Sequence, residues 1–235
     1  MNSPRHRQQG ISLFVVMVMV MLTTLIAMWG SRTALLNEMV TGNDSDYQRA
    51  LEAAQAMVRD AELDITGQKP DGTPCKTDAA FQQSCRETVI DISAGKVFFP
   101  QGTEDYQDLE AALAAKTPSC IRGICLANKV QPEFWKTANG AMGLDQMKAA
   151  AAHYGDFTGA VATANGDPSL VSSSSGANAW YWVEVLPYDW PGLSYEFMPD
   201  KEVPYVYRIT GIALGRKAGT QAVVQTVFVW RKNAS

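Results

Sequence analysis

The apolar residues of this chain are very unevenly spread. From Ile11 to Trp29, a run of 19 residues, only Ser12, Thr23 and Thr24 carry a polar group and nothing is ionisable. At 1.5 Å per residue such a run makes a helix about 28 Å long, close to the hydrocarbon thickness of a bilayer. Arg5, His6 and Arg7 precede it, and positive charge before a first span holds that end in the cytoplasm and sends the chain beyond Trp29 to the far side. Beyond the run the pattern changes. Tyr47, Leu51, Ala54, Met57 or Val58, Ala61 and Ile65 recur at steps of three and four, with Asp46, Arg49, Glu52, Gln55, Arg59 and Glu62 between them, the signature of a helix with one apolar stripe. No proline interrupts the chain between Pro4 and Pro70. One helix is therefore predicted from Ile11 to about Thr66, roughly 84 Å long, membrane-spanning over 11–29 and laid on a soluble domain in its second half. Gly30-Ser31 and Gly42-Asn43 are its weak points, because glycine costs about 1 kcal/mol in a helix interior, and bending or local melting is expected there.

Residues 67–103 are rich in Gly, Pro, Thr and Asp and read as loop, with a short strand at Thr88–Ile92. Short helices are predicted at about Glu104–Lys116, acidic at its start and basic at its end as the helix dipole favours, and at about Leu144–Tyr154. Gly166–Ala179, with Asp-Pro and four consecutive serines, reads as low-complexity loop. The last third reads as sheet. Trp180–Leu186, Tyr205–Leu214 and Ala222–Trp230 are rich in β-branched and aromatic residues, and Gly215–Thr220 supplies a hairpin turn with two glycines between the last two. The fold class is α+β, a long N-terminal helix backed by an antiparallel sheet. The organisation expected is a leader at 1–10, the long helix at 11–66 and a globular domain at 67–235.

Over 235 residues the chain is 46% hydrophobic and 19% charged, which excludes disorder and collagen. It carries 20 basic against 24 acidic side chains, net −4, and no basic stripe beyond the N-terminal cluster, so nucleic acid is not an expected partner. All four cysteines, Cys75, Cys85, Cys120 and Cys125, lie beyond the span. In a Gram-negative-type periplasm they would meet an oxidising compartment. Three pairings are possible, and 75–85 with 120–125 closes the shortest loops. A zinc site is the rival use, but neither pair has C-x₂-C spacing and no histidine lies near. Cys120 and Cys125 also lack the C-x-x-C spacing of a thioredoxin-type redox enzyme.

Candidate chemistry is otherwise sparse. His6 and His153 are the only histidines, and His153 beside Tyr154 reads as a helix-end residue rather than a general base. The Ser172–Ser175 run lacks a nucleophile-elbow glycine pattern, and no phosphate-loop, dinucleotide or H-E-x-x-H motif is present. Asn165-Gly166-Asp167 and Asp156 lack the alternating oxygen-ligand spacing of a calcium loop. No catalytic residue, metal or cofactor is expected. Among the aromatics, Trp180, Tyr181 and Trp182 read as strand core, while Tyr188, Trp190, Tyr195 and Phe197 are the expected partner-facing group.

The N-terminus separates three uses of the apolar run. A secretory signal peptide needs an apolar region of about 7–15 residues and a small-x-small cleavage site, and Trp29-Gly30-Ser31-Arg32 supplies neither. A plain anchor helix needs nothing more than the hydropathy. The third use rests on Gln8-Gln9-Gly10 running straight into Ile11-Ser12-Leu13-Phe14. A short basic leader ending in glycine at the edge of the apolar run resembles the prepilin leader of type IV pilins, which a dedicated membrane peptidase cuts after the glycine. Cleavage would leave Ile11 as the new N-terminus.

Two further blocks carry a more specific resemblance. Asn37-Glu38-Met39-Val40-Thr41-Gly42-Asn43, followed by Arg49-Ala50-Leu51-Glu52-Ala53-Ala54-Gln55-Ala56, is similar to the N-terminal block of PilX-type minor pilins, although Gln55 stands where that family usually has a glutamate. Tyr207-Arg208-Ile209-Thr210-Gly211 with Gly215 is similar to that family's closing hairpin. The resemblance spans about residues 5–65 and 205–231. It implies a non-enzymatic subunit of the inner membrane and the pilus, partnered by other minor pilins, the major pilin, the prepilin peptidase and a pilus-tip adhesin. Methylation, cell adhesion and twitching motility are associations of the same family. Typical pilins carry a glutamate at the fifth mature residue, thought to pair with the terminal amine of the subunit above, but here that position is Val15. The resemblance thus implies a place in a priming or tip complex. The tip pseudopilin of type II secretion shares the missing glutamate, and a bitopic envelope anchor with a partner- or glycan-binding periplasmic domain is the reading from another class.

Overall fold

The computed structural model describes residues 11–76, 85–86, 90–91, 96–137, 140, 142–160, 178–188, 199 and 203–231. The chain falls into two units, Met1–Ser45 and Asp46–Ser235. In the first, helix α1 (Ile11–Thr66) begins, and from residue 12 its side chains are almost all exposed up to Ser45. The hydroxyls of Thr23 and Thr24 donate to the carbonyls of Val20 and Met21, at 3.0 and 2.8 Å. Inside a bilayer, where no water is available, that keeps both polar groups satisfied within the helix. α1 is continuous through Gly30 and Gly42, so the local melting expected at those glycines does not occur.

The second unit is built on the C-terminal half of α1. Ala50, Ala53, Ala54, Met57, Val58, Ala61 and Ile65 are buried. The stripe is thus the expected one from Ala54 onward. At its start it is rotated: Tyr47 is exposed and Leu51 only half-buried, while Ala50 and Ala53 face inward. Small side chains are used where the helix comes closest to the sheet. Asp46, read as a solvent-facing position, lies on the buried face at 5% exposure.

The remaining elements are α2 (Thr103–Ala114), β1 (Cys120–Ile121), β2 (Ile124–Leu126), a single 3-10 turn at Phe134–Lys136, α3 (Leu144–Ala149), β3 (Ala179–Pro187), β4 (Tyr205–Leu214) and β5 (Gln221–Phe228). The strands form one sheet in sequence order, β1-β2-β3-β4-β5. It is mostly antiparallel, which gives the α+β, pilin-like architecture of a long helix on a sheet. One pair departs from the expected all-antiparallel sheet, since β2 runs parallel to β3, with Ile124 opposite Val183. β1 and β2 are too short to produce a readable alternation, so their hairpin was not expected.

α3 ends at Ala149 instead of continuing to Tyr154. The physical reason lies in the next residues. Ala152 exchanges two backbone hydrogen bonds with Tyr181, at 3.0 and 3.1 Å, and this bridge to β3 pulls the chain out of helical conformation. α2 stops at Ala114, leaving Lys116 beyond its end. Thr88, Val89 and Ile92 of the expected strand at Thr88–Ile92 lie outside the described residues, and Asp91, which is described, forms an isolated bridge with Lys96.

Both faces of the sheet are covered. Tyr181, Val183, Val185, Tyr207 and Ile209 face the helix side, together with Leu109 and Leu113 of α2. Trp180, Trp182 and Ile212 face the other way, against Val130, Phe134, Leu144 and Met147. Burial on both sides explains why β3 is an apolar run broken only by Glu184 rather than an alternating one. Trp180, Tyr181 and Trp182 are core, as the strand pattern predicts. The indole of Trp182 finds its acceptor in the Met147 carbonyl at 3.0 Å.

Candidate functional site

The features that hold the helix against the globular unit are the chemically distinctive part of the structure. Three aspartates on the buried stripe of α1, Asp46, Asp60 and Asp64, each receive donors from a different part of the chain. The oxygens of Asp46 accept the backbone N–H groups of Arg216 and Lys217 in the β4–β5 turn, at 2.9 and 3.0 Å. Those two N–H groups, Lys217 first, hold its carboxyl below the usual range. Gly215 makes this contact possible, because a Cβ there would collide with the Asp46 carboxylate and with Thr220.

Asp60 accepts the Gly155 N–H at 2.8 Å and the Thr158 hydroxyl. It is 1% exposed, and burial pushes its carboxyl up to about 6 against the pull of those two donors. One turn further on, Asp64 meets the Arg86 guanidinium in a forked pair, 2.9 Å from Nε and 2.7 Å from Nη2. The Tyr181 hydroxyl donates to the same carboxylate at 2.8 Å. Burial and then Asp64 raise the Tyr181 phenol well above its ordinary value. Arg86 also donates to the Arg122 carbonyl at 2.9 Å and stacks on Phe157, its guanidinium carbon 3.5 Å from the ring centre. One buried cation thereby ties α1, β3, the β1–β2 turn and the 153–160 loop together. Burial works against its charge, and Asp64 more than compensates.

Sequence reading missed Asp60, Asp64 and Arg86 and misplaced Asp46. A signal was present for the aspartates, because 46, 50, 53, 57, 60 and 64 advance by three and four residues and so share one face. Polarity concealed it. Arg86 carried no comparable signal.

The cysteines are joined as two disulfides. Cys75 is bonded to Cys85 and Cys120 to Cys125, with Cα separations of 5.8 and 4.1 Å. The second links directly opposed residues of the β1–β2 hairpin. Val15 lies on the exposed surface of α1. Gly10 lies outside the described residues, and Ile11 is the first residue of α1. Of the aromatics expected on a partner surface, Tyr188 is half-buried just after β3, while Trp190, Tyr195 and Phe197 lie outside the described residues. The Ser172–Ser175 run and Asn165-Gly166-Asp167 lie outside them too.

His153 sits past the end of α3 rather than at a helix end. Its N–H and Nδ1 meet Asp156 Oδ2 at 2.9 and 3.2 Å. Among the described residues no group of histidine, cysteine, aspartate and glutamate is arranged to hold a metal ion. Gln55 lines a hollow of about 440 Å³ with Glu52, Arg59, Asp60 and Tyr154.

A long apolar-to-amphipathic helix, held by buried aspartates on a sheet closed by a C-terminal hairpin, defines a pilin-like protein. Comparison with known families makes the class specific. Residues 9–59 match the family described as PilX N-terminal, and residues 99–230 match the type IV pilus assembly protein PilX C-terminal family. The chain belongs to the PilX family of type IV pilus assembly proteins. The second match covers residues 99–204, where sequence reading found no resemblance, while residues 60–98 lie in neither match. No curated protein and no solved structure matched this chain.

Proposed function

We propose that this chain is a minor pilin that acts in a priming or tip complex. In this reading residues 1–10 are a leader cut between Gly10 and Ile11, and residues 11–29 hold the protein in the inner membrane. The globular part lies in the periplasm until α1 is drawn into a pilus. Family membership supports the assembly role, and the two disulfides support an oxidising compartment. Its partners are other minor pilins and the major pilin, with a pilus-tip adhesin as a further candidate. Its part in assembly is structural rather than enzymatic.

The observation that carries the tip placement is Val15. A charged carboxylate in the bilayer costs about 2.5–3.5 kcal/mol by insertion scales, and a subunit with nothing above it meets no amine to offset that cost. Valine at this position removes the cost. In a shaft subunit a glutamate at position 15 would instead find an amine.

Two measurements test this. Deletion of the gene should abolish or sharply reduce piliation, because a priming subunit is needed for assembly to begin. Val15→Glu should bring no increase in the copies of the protein counted in sheared pili. A marked increase for that variant contradicts the tip placement and favours a subunit scattered along the shaft.

A further inference from the structure

The face of the sheet that points away from α1 changes character along its strands. At one end it is apolar, with Trp180, Trp182 and Ile212 packed against Phe134 and Met147. Two residues further along β3 and two back along β4, on the same face by the period of two, it turns polar. Glu184 stands opposite Arg208, and Thr210 opposite Gln225. Glu184 and Thr210 are only 4% and 2% exposed. The Glu184 carboxylate accepts Nε and Nη2 of Arg208 at 2.7 and 2.6 Å, and Gln225 Nε2 donates to Thr210 Oγ1 at 3.0 Å.

These four side chains line one side of a hollow of about 170 Å³. The other side is the 3-10 turn, which contributes Phe134 and Trp135. Phe134 packs edge-on against Trp182 and Trp135, with ring centres 5.0 and 5.2 Å apart, so the aromatic wall is fixed to the core. Nothing in packing calls for a polar sheet face at this point. Replacing a buried ion pair by well-packed apolar side chains is often neutral or stabilising.

Size, charge and hydrogen-bonding capacity together say what fits. At about 30 Å³ per water, the hollow has the room of five or six waters, which suits one small ring and not a peptide segment. Its charges cancel, because Arg208 balances Glu184 and Lys136 balances Glu133 at the rim, 2.6 Å apart. A phosphate or another ion therefore gains no net attraction. A carboxylate has about four acceptor sites and a guanidinium five donors, of which the Glu184–Arg208 fork uses two each. The Thr210 hydroxyl hydrogen and the Gln225 carbonyl add a further donor and acceptor. Donors and acceptors so interspersed match a ligand whose own groups both donate and accept, which is the property of a hydroxyl. The aromatic wall opposite offers its electron-rich ring faces to C–H groups. A pyranose combines the two, with hydroxyls around its edge and C–H groups on its faces.

We propose that this hollow between the 3-10 turn and strands β3, β4 and β5 is a binding site for a single neutral pyranose sugar, with Glu184, Arg208, Thr210 and Gln225 bonding its hydroxyls and Trp135 covering a ring face. This goes beyond the pilus reading and does not depend on the leader or on Val15, so either can fail without the other.

The test titrates the full chain, held in a detergent without a sugar headgroup, with the methyl glycosides of glucose, galactose and mannose, and reads binding by saturation-transfer NMR. At least one glycoside should saturate, with a dissociation constant of about 1 mM, and should show transfer to its ring C–H protons. Gln225→Ala, at an exposed position of β5, and Thr210→Val should each weaken it by about three- to tenfold. Thr226→Ala, on the opposite face of the same strand, should leave it unchanged. Circular dichroism checks that the three variants keep their secondary structure. The proposal is overturned if no glycoside saturates by about 10 mM, ten times the expected constant. Sorbitol binding as well as the glycosides overturns it in favour of an adventitious polyol, and glucose 6-phosphate binding more tightly than methyl glucoside overturns the neutral site. Affinity unchanged in both Gln225→Ala and Thr210→Val places the sugar elsewhere and overturns it too.

Discussion

At the residue scale, the buried aspartates make stability depend on pH in separable ways. Asp60 has its carboxyl raised from 3.8 to about 6 by burial, so the unfolded chain releases this proton before the folded one does. Its contribution is therefore most favourable below about pH 4 and declines as pH rises towards 6, by about 3 kcal/mol from the 1.36 kcal/mol that each unit represents. Asp46 runs the other way. Its carboxyl is lowered by the Lys217 and Arg216 N–H groups, so its contribution is present above about pH 4 and is lost only in stronger acid. Urea midpoints at pH 4, 5 and 6 should fall for the wild type and stay nearly flat for Asp60→Asn. A wild-type slope retained in the variant would assign the effect to another group. Gly211 gives a steric prediction: a Cβ there would lie 2.5 Å from the Ala54 carbonyl oxygen and 3.0 Å from Val58 Cγ2. Gly211→Ala should cost about 1–3 kcal/mol as overpacking, read as a lower unfolding midpoint with an unchanged m-value.

At the scale of elements, the long helix and the three large strands were legible because each carries its own period. The span is uninterrupted over 19 residues, and β4 and β5 are β-branched runs on either side of a glycine turn. What could not be read was set by partners distant in sequence. α3 stops because Ala152 bonds to Tyr181, and Asp64 is buried because Arg86 comes to it. β1 and β2 are two and three residues long, too short for any period to show, although their cysteine pair was visible. The Asp64–Arg86 pair yields a further prediction. Arg86→Met leaves Asp64 buried with the Tyr181 hydroxyl as its remaining side-chain donor among the described residues, and breaking one side of a buried pair costs about 3–5 kcal/mol. Replacing both residues with apolar ones should recover much of that loss, measurable as a double-mutant cycle in denaturant. Replacing either cysteine pair with alanines should cost about 2–3 kcal/mol on the chain-entropy model, checked by thermal melts.

At the scale of the whole molecule, the two PilX family matches fall on the long apolar-to-amphipathic helix and on the region that holds the sheet and the Cys120–Cys125 disulfide. Asp46, Asp60 and Asp64 hold the C-terminal half of α1 against the rest of the second unit. The family resemblance was legible at the two ends of the sequence, where the motifs lie on α1 and on the closing hairpin. Residues 99–204 carry the same family match without a motif that a single sequence reveals.

The central claim is that this subunit enters a pilus as a processed pilin, and its N-terminus tests that most directly. Intact-mass and N-terminal peptide spectrometry of the protein from membranes and from sheared pili should find Ile11 as the first residue. Gly10 replaced by a bulky residue should accumulate as the uncut form. A wild-type protein that retains Arg5–Gly10 in both fractions contradicts the account.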